Sequence, residues 1–202
     1  MHPDPTFAWD DEAAISAFVA DVAFAHVFIA GPAGVAVVHV PLLVVADGLQ
    51  FHLPRRNRAT PLIDGATVIA SVTGPDAYVS PNWYARPGQV PTWNYVAVEA
   101  EGSVRRLADA ELVTHLDALS AEHERRLAPA PAWTRAKMAP GRFEAMLPAI
   151  AGYELRVSQW RGTRKLSQNK PAADAGGVVA GLKGIGRGDV ARLVAEASGA
   201  RA

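Results

Sequence analysis

The chain has 202 residues, 20 basic and 20 acidic side chains, no formal net charge and no cysteine, which fits one domain or one domain with a small appendage. The balanced charge excludes a whole-protein electrostatic grip on nucleic acid, which shows as a clear basic excess, although a local basic patch stays open. The missing cysteines exclude disulfides, thiolate catalysis and cysteine-ligated metals.

The opening MHPDPTFAWDDEAA has neither a basic n-region nor an apolar h-region, so it does not read as a signal peptide. No apolar run approaches the ~20 residues of a membrane span, and a soluble, cytoplasmic protein without a membrane partner is expected. Asp10 is expected to cap a helix from about Asp11, with Ile15, Phe18, Val19 and Val22 on its packing face. Ala25 to Ala30 reads as a strand, Gly31 to Gly34 as a turn, and Val35 to Val45 as a long β-branched run in which Pro41 marks an edge or a bulge. Asp47-Gly48 turns the chain into a strand at Leu49 to Leu53, completing a meander with short turns.

A polar, basic loop then leads to a short helix ending at Gly65, and ATVIASVTGP forms the next strand. Between Ser80 and Tyr95 lies SPNWYARPGQVPTWNY, a stiff segment with four aromatics and three prolines. Tyr95 to Arg105 alternates as a strand, and Asp109 to Leu127 as an amphipathic helix with Leu112, Leu116 and Leu119 inward. A proline-rich connection, a short helix and a strand from Gly152 to Trp160 follow, and the tail reads as two short helices. Early strands without crossover helices argue against a doubly wound fold. The expected architecture is mainly β, an antiparallel barrel decorated by helices.

Several constellations can carry chemistry. HLPRRN places His52, Arg55 and Asn57 at a strand exit. A guanidinium makes paired charge-assisted bonds to phosphate, and a helix starting just after Arg55 would add free amides; a solvated basic loop explains the segment as well. The aromatic segment offers flat platforms with Asn and Thr donors and acceptors for a planar heterocycle, or it is a packed corner of the core. KLSQN, Lys165 to Asn169, either closes over a ligand or is an ordinary polar turn. His39 reads as a hydrogen-bonded interior histidine, and His115 and His123 as solvated; no metal-ligand spacing, nucleophile elbow or Walker loop is present. The Gly-Ile-Gly of LKGIGRGDVARLV is similar to a helix-hairpin-helix loop that holds a DNA phosphate, or it is a plain connection between helices.

Taken together, HVPLL (His39 to Leu43), HLPRRN, GPDAYVSPNWY (Gly74 to Tyr84), VPTWNY (Val90 to Tyr95) and KLSQN, with the Phe7 to Asp11 pattern, resemble the PaiB family of FMN-binding negative transcriptional regulators. The resemblance runs from about Phe7 to Leu182. It implies a six-stranded antiparallel split barrel over residues 1–165, with residues 166–202 as a helical extension packed on it. It further implies FMN as cofactor, at a homodimer interface, as in the related pyridoxamine phosphate oxidase-like flavin proteins. By the same resemblance, His52, Arg55 and Asn57 lie by the phosphate, and Thr92, Trp93 and Asn94 beside the ring system or ribityl chain. Lys165, Ser167, Gln168 and Asn169 approach from the C-terminal side. The chain departs from the family pattern at Pro54, Arg56, Arg58 and Lys170.

Three functions follow as expectations. The first is an FMN-binding negative transcriptional regulator acting as a homodimer, with DNA as a weakly supported partner. The second is a flavin-dependent NAD(P)H oxidoreductase. The third is a barrel reused for a non-flavin small molecule or for haem, with His39 or His52 as the candidate haem ligand. No catalytic acid or base is assigned.

Overall fold

The computed structural model describes residues 2–31 and 34–199. In chain order its elements are β1 (Ala8–Trp9), α1 (Glu12–Val22), β2 (Phe24–Gly31), β3 (Gly34–Pro41), β4 (Leu43–Val45) and β5 (Gly48–Pro54). There follow α2 (Thr60–Ile63), β6 (Thr67–Val79), β7 (Thr92–Arg106), α3 (Asp109–Arg125), α4 (Arg142–Met146), β8 (Ile150–Lys165), α5 (Ala172–Gly184) and α6 (Gly188–Ser198). The chain divides into two compact units. Unit 1 takes Met1–Ile15, Thr73–Glu99 and Arg161–Ala202; unit 2 takes Ser16–Val72 and Ala100–Trp160.

The sheet has the strand order β3-β2-β6-β7-β8-β5-β4, and unit 2 holds β2 to β5 with residues 67–72 of β6, 100–106 of β7 and 150–160 of β8. β2 pairs antiparallel with β3 and β6, and β5 pairs antiparallel with β4 and β8. β3 also packs against β5, so the two arms of the path meet as in a split barrel. Seven strands lie on this path where six were expected. The extra one arises at Pro41, whose missing N–H ends β3 and leaves Leu43–Val45 as a separate short strand. The same proline sits on an edge, because β3 ends the strand order. Period-two burial puts Val27, Ile29, Val38, Val40, Phe51 and Leu53 in the core, where Phe51 stacks on Tyr153 at 5.8 Å between centroids. The Gly31 to Gly34 turn has its two central residues outside the described ones; its flanks Gly31 and Gly34 face each other in the β2–β3 register. His39 is exposed on the outer face of β3 and meets the ring of His26 edge-on, not in the interior as expected.

Within unit 2, α3 covers one face of the β5–β8 pair. At Gly152 an added Cβ would lie 2.9 Å from Leu112 and 3.0 Å from Leu107, so only glycine lets the helix come this close. The helix start is tied down by Glu111, which accepts the Ala108 amide at 2.7 Å and both Nη groups of Arg105. Arg105 also reaches the nearly buried Glu154, making a three-residue ionic network.

Unit 1 holds α5 and α6, packed on each other, together with the outer parts of β6, β7 and β8. β1 pairs with the end of β8, Ala8 opposite Thr163 and Trp9 opposite Gly162. That pairing extends β8 to Lys165, past the expected end at Trp160. At the first helix, Asp11 rather than Asp10 is the cap: its carboxylate accepts the Ala14 amide at 3.0 Å.

The aromatic segment owes its shape to unit 1. Trp83, in a single 3-10 turn at Pro81–Trp83, rests on two glycines of α5. A Cβ at Gly177 would overlap the Trp83 carbonyl, and one at Gly181 would lie 2.5 Å or less from two atoms of its indole. One turn before Gly177, the fully buried carboxylate of Asp174 accepts the Ala85 and Arg86 amides at 2.9 and 3.2 Å, and the Arg86 guanidinium. Burial pushes this carboxyl up, but the bonds from Arg86 outweigh it and hold it below its ordinary value. Asp174, Gly177 and Gly181 thus form one helical stripe that receives the corner, and Trp83 is packing.

Candidate flavin site

The strand exit in unit 2 is tightly wound. His52 stands opposite Gly152 in the β5–β8 register, and the close approach of α3 brings His115, one turn after Leu112, against it. His52 Nδ1 lies 3.2 Å from His115 Nε2. His115 is 1% exposed rather than solvated, and its Nδ1 is buried without a partner; His123, at the solvated end of α3, is half-buried. Burial, then the neighbouring His52, pushes the His115 imidazole down to about 4, and burial lowers His52 as well, so both are neutral at pH 7. Beyond β5 the Pro54 carbonyl accepts the Asn57 amide at 2.9 Å and the Thr60 hydroxyl at 3.0 Å. Asn57 Oδ1 accepts the Ala59 amide, the Asn57 carbonyl accepts that of Thr60, and the Arg55 amide goes to the Ala149 carbonyl. α2 begins only at Thr60, so no helix start supplies amides just after Arg55, although the amides of Arg56 and Arg58 in the intervening turn have no protein partner. Arg55 retains one feature that fits an anion: its Nε is buried with no partner, while Nη2 sits 4.0 Å from Asp109.

Unit 1 assembles the other sequence-predicted residues. The first strand residues of β7 and the last of β8, with the turn after it, enclose a cavity of about 230 Å³. Thr92, Asn94, Lys165, Ser167, Asn169 and Lys170 line it, with Phe7 and Tyr84 as aromatic walls. Alternation along β7 turns Thr92 and Asn94 to the cavity and Trp93 away; Trp93 is 53% exposed and meets Tyr78 edge-on. Asn94, 1% exposed, donates to Ser167 Oγ at 2.9 Å. Ser167 adopts φ +61°, a left-handed conformation unusual for a serine and held by this bond and by the turn. Gln168 does not face the cavity: its Oε1 accepts the Leu166 amide at 2.7 Å, and its Nε2 donates to the Thr6 and Arg164 carbonyls. It brackets the turn. Lys165 donates to Thr92 Oγ1 at 2.8 Å, and Lys170 to Gln89 Oε1 at 3.0 Å. Tyr84 and Lys170 are among the cavity residues not singled out from sequence as ligands. Tyr84 is buried with an unpartnered hydroxyl, and burial, then the charge of Asp174, raises its pKa, so it stays a neutral O–H.

The loop between α5 and α6 keeps its amides for itself. Those of Ile185, Gly186 and Arg187 donate to carbonyls of Gly181, Leu182 and Lys183, closing the helix as a C-terminal cap and leaving none of the three for a nucleic-acid phosphate. No group of three metal-ligating side chains occurs among the described residues, and no described helix is long and apolar enough to cross a membrane.

A mainly antiparallel sheet whose arms meet, with helices on it and a donor-rich cavity at strand ends, defines a split-barrel protein of the flavin-binding type. Residues 1–159 match the family described as "Putative FMN-binding domain", and the chain belongs to that family. FMN, the expected cofactor, agrees with that membership. The chain is 34% identical over 116 residues to Protease synthase and sporulation protein PAI 2 of Bacillus subtilis, covering 57% of this chain and 55% of that protein, which bears out the resemblance to PaiB. The chain thus spans about half the length of that curated relative. Two solved structures share the fold. The FAD and heme binding protein from Mycobacterium smegmatis has a TM-score of 0.59 at 20% identity, over 78% of this chain and 73% of that one. The flavocytochrome Anf3 from Azotobacter vinelandii has a TM-score of 0.58 at 17% identity, over 81% and 72%.

Proposed function

We propose that this protein is an FMN-dependent negative regulator of transcription that acts as a homodimer in the cytoplasm. The observation that carries the flavin part is the unit 1 cavity, where two segments more than 70 residues apart in sequence deliver hydroxyl, amide and ammonium donors to one space. Thr92, Asn94, Lys165, Ser167 and Asn169 are the residues we assign to FMN; His52, Arg55 and Asn57 are those the family resemblance offers for its phosphate. When bound, FMN supplies redox chemistry that no side chain has. The protein's part is to bind and orient it, and a locked turn with a buried Asn94–Ser167 pair lowers the ordering cost of doing so. The homodimer is supported by the outward aromatic face of unit 1, where Tyr78 and Trp93 are 46% and 53% exposed.

In the α5–α6 loop the amides of Ile185, Gly186 and Arg187 are already bound, and the chain has no net positive charge. Flavin occupancy therefore acts through the dimer, and DNA contact, if direct, is weak. Sedimentation with and without FMN, beside a gel shift over a salt series, tests this. A dimer whose DNA affinity changes with FMN supports the reading. A monomer, or a dimer whose DNA binding is absent or indifferent to FMN at low salt, contradicts it. The fold shared with a flavocytochrome and an FAD-binding protein supports a second reading, a flavin-dependent NAD(P)H oxidoreductase. Steady oxidation of NADPH with FMN added would select it; flavin that binds and is never reduced would dismiss it.

A further inference from the structure

We infer that His115 is a positioning residue for the flavin phosphate: its Nε2–H donates to His52 Nδ1, which fixes the proton of His52 on Nε2 and makes that nitrogen a donor to an anion at the exit of β5. The inference rests on the FMN reading above, in which His52, Arg55 and Asn57 serve the phosphate. Its first ground is packing. α3 closes on the β5–β8 pair because Gly152, opposite His52, has no side chain to hold it off. Leu112 and His115, one turn apart, are each 1% exposed, so the inward face of the helix delivers the imidazole to His52. The ring centroids lie 5.4 Å apart, with His52 Nδ1 3.2 Å from His115 Nε2. Such a bond needs one proton between two nitrogens, and which ring supplies it decides what the far nitrogen of each ring becomes.

The second ground is the choice of donor. Burial keeps both rings neutral at pH 7, so each carries one N–H. If His52 donated, His115 would hold its proton on Nδ1, which is buried without a partner. A buried N–H left unmatched is rarer than an acceptor left unused. His52 would then also present a bare lone pair at Nε2, which repels an anion. If His115 donates, its Nδ1 keeps only a lone pair, and His52 holds its proton on Nε2. Both rings are then in the Nε2–H form that histidine favours in water.

The third ground is the company His52 keeps. Its Nε2 has no partner among the described residues and is not sealed from solvent. The other groups left over at this exit are donors too: Arg55 Nε, Asn57 Nδ2 and the amides of Arg56 and Arg58 have no protein partner. Asp109 lies 4.0 Å from Arg55 Nη2 on an exposed side chain. A set of donors that includes a guanidinium suits a phosphate, and a bare His52 Nε2 would be its one mismatch.

Imidazole ¹⁵N NMR of the ligand-free protein, beside titrations of FMN and riboflavin, tests this in the wild type, His52→Ala, His115→Leu and His115→Gln, with thermal melts to confirm folding. Long-range ¹H–¹⁵N correlations are expected to show His52 protonated at Nε2 in the wild type and a mixture of tautomers in His115→Leu. One bond to the phosphate, being charge-assisted, corresponds to a roughly ten- to hundredfold share of the preference for FMN over riboflavin. His52→Ala and His115→Leu are each expected to lose that share while keeping their riboflavin affinity. His115→Gln, whose amide nitrogen donates from a similar reach, keeps it. His52 protonated at Nδ1 in the wild type overturns the inference. So does a His115→Leu protein that keeps the preference, or that loses both affinities equally, as packing alone would give. An unchanged preference in His52→Ala overturns the phosphate seat on which the inference rests. Wild-type protein that binds neither flavin overturns the FMN reading itself. The His52 tautomer and ³¹P line broadening of inorganic phosphate then decide separately: broadening that is lost in His115→Leu sustains an anion seat set by His115, and its absence from the wild type overturns it.

Discussion

HLPRRN in unit 2 and KLSQNK in unit 1 are both short polar stretches at the end of a core strand, and both carry cations beside Asn. The fold treats them oppositely. At the first, Asn57 caps the next turn, Pro54 and Ala149 collect the amides of Asn57 and Arg55, and His52 is bound to a buried histidine. At the second, Gln168 and Ser167 lock the backbone, and the ammonium groups of Lys165 and Lys170 are left facing a cavity. A polar motif is therefore read by which of its groups the turn itself requires.

That contrast can be broken by experiment, beginning with the packing that builds unit 1. Gly181→Leu drives a side chain into Trp83, and an overpacked contact of this kind is expected to cost about 3 kcal/mol or more of stability, seen in chemical denaturation. Gly184→Ala, where a Cβ meets nothing within 4 Å, is the control and should be neutral or slightly stabilising. A stable Gly181→Leu protein would mean that Trp83 is not seated on α5.

The histidine pair of unit 2 makes the next largest effect. The folded state holds His115 at about 4, below the ordinary histidine value near 6.5. Between these values the unfolded chain binds the extra proton, so stability is full above about pH 6.5 and falls as the pH drops towards 4. The loss should be on the order of 2 kcal/mol, and His115→Leu should flatten the profile across that window. An unchanged profile in the variant would place the proton uptake elsewhere.

Two asparagines then sharpen the comparison directly. Asn94→Ala leaves Ser167 without its partner in a buried site; a loss of roughly 1–2 kcal/mol is expected, together with weaker FMN binding. Asn57→Ala removes a cap on the Ala59 amide and one donor of the corner. It should cost about 1 kcal/mol and weaken FMN less than Asn94→Ala does. If Asn57→Ala weakens FMN more, the corner and not the cavity carries most of the binding.

Much of the fold was legible because it is local. An apolar run marks β2, a β-branched run marks β3, the Asp47-Gly48 turn introduces β5, alternation marks β7, the amphipathic pattern marks α3, and Pro41 marks an edge or a bulge. His115 was legible too and was misread: it falls between Leu112 and Leu116 on the inward face of α3, and the helical spacing outweighs its polarity. His39 fails for the opposite reason, since alternation along β3 buries Val38 and Val40 and so turns it outward. The extension of β8 to Lys165 depends on pairing with β1, some 150 residues away, which no local pattern shows. The seat of Trp83 is equally non-local. Its only trace in the sequence is the spacing of Asp174, Gly177 and Gly181, which becomes a stripe once α5 is known to be a helix. The cavity residues Thr92, Asn94, Lys165, Ser167 and Asn169 came from the resemblance together with chemical suitability. Tyr84 and Lys170 were hidden as ligands because their place depends on the same long-range packing.

The central claim is that this chain holds FMN through the cavity of unit 1, and the most direct test is a fluorescence titration of FMN into purified protein, wild type beside Asn94→Ala. The account predicts saturable quenching of flavin emission at one FMN per chain, with clearly weaker binding in the variant. Flavin emission that is unchanged by the wild-type protein, or identical saturation in both, would contradict it.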